Sequence, residues 1–155
     1  AGAWFGEFVR KHIGGSWIGD GQDPRRLRLL LEPAFLHFSP VDLAYEAIFA
    51  GELGEEDPRG PEGALIDGAY QLDGRENPRA EGADPKGENH DPTSDRDWIR
   101  DRLGELSPVP EDQYYSVTGR FEALQLILQM LAHRRVAENK PPRMWEVQDY
   151  VQALA

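Results

Sequence analysis

Between residues 52 and 95 a glycine or proline recurs every few positions: Pro58, Gly60, Pro61, Gly63, Gly68, Gly74, Pro78, Gly82, Pro85, Gly87 and Pro92. Neither residue type propagates a helix or a central strand, because glycine adds backbone entropy and proline removes a donor. The stretch is also strongly acidic, from Glu52, Glu55, Glu56 and Asp57 through Asp91 and Asp95. Only Ala64–Ile66 and Ala69–Leu72 carry enough apolar side chain to pack, as a short strand pair. The rest buries too little to offset an ordering cost of about 1–2 kcal/mol per residue. Residues 52–95 are therefore expected to form a long acidic surface loop within one domain spanning 1–155. Replacing 74–95 by a short Gly/Ser linker should leave the fold intact, since doubling a loop costs only about 0.6 kcal/mol.

The regions on either side read differently. Before the loop, Trp4, Phe5, Phe8, Val9 and Ile13 recur at helical spacing, and Gly14-Gly15 ends that helix. Trp17-Ile18 reads as an apolar patch and Gly19-Asp20-Gly21 as a turn. Leu27–Leu31 and Phe35–Phe38 read as a two-stranded meander broken at Pro33. Ser39-Pro40-Val41-Asp42 is a helix start: a hydroxyl cap, proline in the first turn, and an acid at the positive end of the dipole.

After the loop the chain is helical. A short helix is expected from Asp97 to about Leu106 and a long one from Tyr114 to about Glu138. A last helix should carry Met144, Trp145, Val147, Val151 and Leu154. From Phe121 to Ala132 the long helix is apolar nearly all round, which predicts that it is covered on several sides and forms the centre of the core. Leu128→Ala is then expected to cost about 2–5 kcal/mol. The expected class is α+β and mostly helical: helix, meander, helix, acidic loop and three C-terminal helices.

Chemistry-bearing motifs are sparse. The chain has no cysteine, so disulfides and thiolate sites are excluded. His12, His37, His90 and His133 stand at no metal-binding spacing, and each is better explained as structural or solvated. Asp84, Glu88, Asn89, Asp91 and Asp95 supply oxygen ligands, but their spacing does not match a calcium loop. Glu7 and Asp42 are the acids set in strongly apolar stretches, and Asp42 is explained by capping. No serine sits in a nucleophile elbow, and no glycine-rich phosphate cradle is present. No catalytic, cofactor or metal site is expected.

The net charge of −11 opposes nucleic-acid and anionic-membrane partners, and the Arg25-Arg26-Arg28 and Arg134-Arg135 clusters are too small to reverse it. The chain opens on Ala1 with no basic-then-apolar leader, and no apolar run is long enough to span a bilayer, so a cytoplasmic location is expected.

Trp4-Phe5-Gly6-Glu7-Phe8-Val9-Arg10, followed by Gly14-Gly15-Ser16-Trp17, two strands and Ser39-Pro40-Val41, resembles a loose group of bacterial proteins with an aromatic-x-Gly-Glu helix before Gly-Gly-x-Trp. The resemblance covers the first third of the chain and implies a bacterial cytoplasmic origin. The group has no established activity, so no functional residue is carried over.

The expected function is protein binding without catalysis, as an adaptor or an immunity or antitoxin-like protein with a basic partner. The alternatives are a hydrolase or metal-dependent enzyme with dispersed residues, or a structural subunit. Glu55, Glu56 and Asp57 are the residues expected to steer the partner, and Trp98 and Trp145 those expected to anchor it.

Overall fold

The computed structural model describes residues 1–49, 71–72, 94–106 and 111–154. Helix α1 spans Gly2–His12, and its buried stripe is Gly2, Phe5, Gly6 and Val9, the helical period read in the sequence. Gly14 ends the turn at φ 104°, a left-handed conformation that a side chain disfavours. Ser39 Oγ accepts from Asp42 N as read, and helix α2 runs Pro40–Phe49.

Helices α1 and α2 meet at very close range. A methyl group at position 2 would lie 2.6 Å from Val41 Cα, and one at position 6 would lie 2.8 Å from Pro40 Cγ and overlap the Trp17 ring. Glycine at both positions is what allows this approach.

The meander is larger than the sequence suggests. Gly15–Ile18 is a strand, β1, rather than an isolated apolar patch, and it pairs antiparallel with β2 (Arg28–Leu31). β3 (Leu36–Phe38) pairs antiparallel with β2, and β4 (Gln71–Leu72) extends the sheet by two residues. The strand order is β1-β2-β3-β4. Trp17-Ile18 was too short to show a strand period by itself. Its register against Leu29 and Arg28 is what stabilises it. Ala64–Ile66 lies outside the described residues.

Helix α3 spans Asp95–Gly104, starting two residues earlier than expected. Ser94 Oγ accepts from Asp97 N, and Asp95 pairs with Arg134 at 2.8 Å, so Ser94 and Asp95 belong to α3 and its cap rather than to the expected loop. The long helix is also divided. A four-residue helix, α4 (Glu111–Tyr114), precedes α5 (Val117–Ala137), because Ser116 leaves the ladder and caps Gly119 N at 2.9 Å.

α5 buries one stripe, Arg120, Leu124, Ile127 and Leu131, while Leu126 and Val136 are exposed. It is a cover, and the fully enclosed centre is the sheet, where Leu29, Leu31 and Leu36 have no exposed surface. Phe5, Val9, Leu43, Ile99, Leu103, Leu124, Ile127 and Leu131 close over that face of the sheet. Arg120 ties α5 to α2 through a buried 2.7 Å ion pair with Glu46, and its guanidinium lies over the Tyr114 and Tyr115 rings.

Helix α6 begins at Val147 and runs to Leu154, so Met144 and Trp145 precede it outside any helix or strand. Two bonds set this boundary. Trp145 N donates to Glu32 O at 2.7 Å, and Asp149 Oδ2 accepts from Glu146 N at 2.9 Å, the backward half of a capping box. Among the described residues, no helix is long and apolar enough to cross a membrane.

Candidate functional site

β2 and the residue that follows it read Arg28-Leu29-Leu30-Leu31-Glu32, so apolar side chains point to both faces of the sheet. Leu29 and Leu31 face the helices. Leu30 faces the other way, into a second cluster with Phe35, Trp145 and Tyr150, against which Ile18 packs. This second cluster is where the C-terminal segment crosses the sheet.

One hydroxyl fastens that segment. Tyr150 Oη accepts from Leu36 N at 3.0 Å and lies 2.5 Å from Leu31 O and 2.7 Å from Ala34 O, so its single proton serves the β2–β3 turn. Burial pushes the phenol well above its usual 10, which makes Tyr150 a neutral anchor at physiological pH. Phe35 stacks on Tyr150 at 4.3 Å and meets Trp145 edge-on at 5.0 Å. The Arg143 guanidinium sits 3.7 Å above the Trp145 ring.

A cleft of about 360 Å³ opens beside this anchor. Ser16, Leu30 and Glu32 form its sheet wall, Met144, Trp145, Glu146 and Val147 form the opposite wall, and Tyr150 closes it. Glu32 reaches across Gly14: its Oε2 lies 2.7 Å from where a β-carbon at position 14 would be. The missing side chain thus lets the carboxylate just after β2 lie over the residue that leads into β1.

Glu32 and Glu146 have no cationic partner among the described residues. By contrast, Glu7, Glu46, Asp95, Asp97 and Glu105 each pair with an arginine. Apolar surface continues from the cleft rim along α6. Met144 is 61% exposed, Val147 38% and Val151 42%, and the two valines are one helical turn apart. The site is therefore amphipathic and negative.

The expected anchors are not brought together. Trp145 is only 8% exposed and belongs to the wall of the cleft. Trp98 packs on the opposite face of the sheet, under the Arg102 and Arg134 guanidiniums. Glu55, Glu56 and Asp57 lie outside the described residues. The tryptophan most exposed to solvent is Trp4, at 65%, stacked on Phe8 at 5.5 Å.

Glu7 is neither a lone acid nor a base. Hydrogen bonds from Arg10 and then from Trp17 Nε1 hold its carboxyl down at about 2. His12 lies against the Phe8 ring and His133 is exposed on α5. Among the described residues, no three His, Asp or Glu side chains come together in a way that could hold a metal ion.

Sequence reasoning missed Ser16, Glu32, Met144, Glu146 and Val147 as a group. The signal available was the double-sided apolar pattern of β2 ending in an acid, which implies a second covering layer. The layer itself comes from residues more than a hundred positions away. No family model, curated protein or solved structure matches this chain.

Proposed function

We propose that the chain is a protein-binding module of the adaptor or immunity-protein kind, acting in a bacterial cytoplasm, and that it holds a basic segment of its partner in the cleft beside Tyr150. One observation carries this reading. Two carboxylates without cationic partners among the described residues, Glu32 and Glu146, flank an apolar rim made by Met144, Val147 and Val151. Apolar surface beside unneutralised charge favours a ligand that is itself apolar and cationic. The net charge of −11 adds long-range attraction for such a partner.

The test uses two baits, the wild-type chain and Glu32→Gln/Glu146→Gln, in affinity capture from a bacterial lysate. A basic protein retained by the first and lost from the second is expected. Its association rate, read by surface plasmon resonance, should fall as the Debye length shrinks from about 10 Å at 0.1 M salt to about 3 Å at 1 M. Equal retention by both baits overturns the reading.

A further inference from the structure

β1 is the outermost strand of the sheet, and its register shows which of its backbone groups face outward. Glu32 N donates to Gly14 O at 3.2 Å, so 14/32 is a hydrogen-bonded pair. Antiparallel pairs alternate, which makes 16/30 and 18/28 the next bonded pairs. Gly15 and Trp17 therefore direct their N–H and C=O groups away from β2. No backbone hydrogen bond reaches them from any described residue. β1 reads Gly-Ser-Trp-Ile, with neither the proline nor the charge that commonly blocks an open edge.

The geometry points to strand addition: an extended partner segment that alternates basic and apolar residues pairs with the outer edge of β1. The inference rests on the protein-binding reading above and specifies how the partner is held. Ser16 shares the cleft face of the sheet with Leu30 and Glu32, whereas Trp17 turns to the other face, under Gly6 of α1. On an added strand, every second side chain would point to the cleft face. The Glu32 carboxylate already lies over position 14, one strand spacing closer to the edge than a β2 side chain otherwise reaches. Lysine or arginine at the cleft-face positions meets that charge, and apolar residues at the alternate positions meet Trp17. Main-chain bonds supply affinity and the acids supply selectivity, as in other strand-addition complexes. A second copy of this chain would bring another net charge of −11 to the same edge, which disfavours self-pairing.

The probe is a seven-residue peptide alternating lysine and valine, titrated by calorimetry, with amide exchange followed by NMR. Three relatives accompany it: one with glutamate for lysine, and two N-methylated on one or the other alternate set of amides. The parent peptide should slow exchange at Gly15 and Trp17. One methylated peptide should bind about tenfold more weakly or worse, since each lost hydrogen bond is worth about 0.5–1.5 kcal/mol and tenfold is 1.4. The other should bind like the parent, and the glutamate peptide should not bind. Glu32→Gln should weaken the parent peptide while leaving the difference between the two methylated forms unchanged. Equal binding of both methylated peptides, or unchanged exchange at Gly15 and Trp17, overturns strand pairing and leaves the cleft reading standing. Absence of binding by every peptide also overturns strand pairing, and the two-bait capture then decides the cleft reading separately. Protection of Gly15 and Trp17 that depends on protein concentration, without peptide, assigns the edge to a second copy and overturns the proposal.

Discussion

On one face of the sheet, Leu29, Leu31, Leu36 and Phe38 meet side chains from α1, α2, α3 and α5. On the other, Leu30 and Phe35 meet a single stretch of chain, represented by Trp145 and Tyr150. Both clusters are buried, yet they are closed by different means. The first is sealed by packing from several directions, so losing any one contact leaves others. The second hangs on one hydroxyl, one backbone bond from Trp145 to Glu32, and one short helix. Stability should therefore concentrate on the helical face. The adaptable surface, with its cleft and exposed apolar rim, lies where the cover is thin.

The hardest blow to the helical face is Arg120→Ala. It removes the guanidinium that pairs with the buried Glu46 carboxylate and should cost about 3–5 kcal/mol in chemical denaturation. Leu124→Ala follows, at about 2–5 kcal/mol, because Leu124 has no exposed surface. Leu128→Ala should cost less than Leu124→Ala, since Leu128 is only partly buried against the same cluster. Equal losses at 124 and 128 would restore the long helix as the centre of the core.

The thin face breaks at Tyr150. Tyr150→Phe removes the hydroxyl shared by Leu36 N and the Leu31 and Ala34 carbonyls, leaving Leu36 N only its bond to Ala34 O, and should cost about 1–3 kcal/mol, with faster amide exchange at Leu36. Its pH dependence has a definite sign. Burial raises the folded phenol above its usual 10, so above that pH the unfolded chain releases a proton that the folded chain keeps. The stabilisation is complete below about pH 10 and declines as pH rises further, whereas the Phe variant lacks that decline. The smallest effect belongs to the rim. Met144→Ser should change stability by no more than about 0.5 kcal/mol, as the exposure of Met144 implies, while on the proposed reading it weakens partner binding.

Much of the architecture follows from local rules. The period of Phe5 and Val9 marks α1, the Ser39-Pro40 pair starts α2, and Pro33 separates β2 from β3. These signals act within a few residues and need no partner. Expectation and structure part where a distant contact decides. Nothing near Trp17-Ile18 announces a strand, because Leu29 and Arg28 supply its register. Met144 and Trp145 have helical spacing with Val147 and Val151, but Glu32 takes the Trp145 N–H first. The all-round apolar run in α5 overstated its burial, because leucine favours helix whether or not every face is covered. The cleft was the least legible feature, since its walls come from opposite ends of the chain.

The clasp between α1 and α2 bears on how a saturation mutagenesis map of this protein should be interpreted. Positions 2 and 6 have hydrogen where any other residue would place carbon against Val41 or Trp17. Nearly every substitution there should fail, and the map will show two intolerant columns. Those columns record steric exclusion where α1 packs on α2 and on Trp17 of β1, and they resemble the mark of a reactive centre although neither residue carries a reactive group. Tolerant columns at Glu32, Met144 and Glu146 in a growth or abundance screen would be equally deceptive. On the proposed partner-binding reading, their importance would emerge only when the screen itself demands a partner.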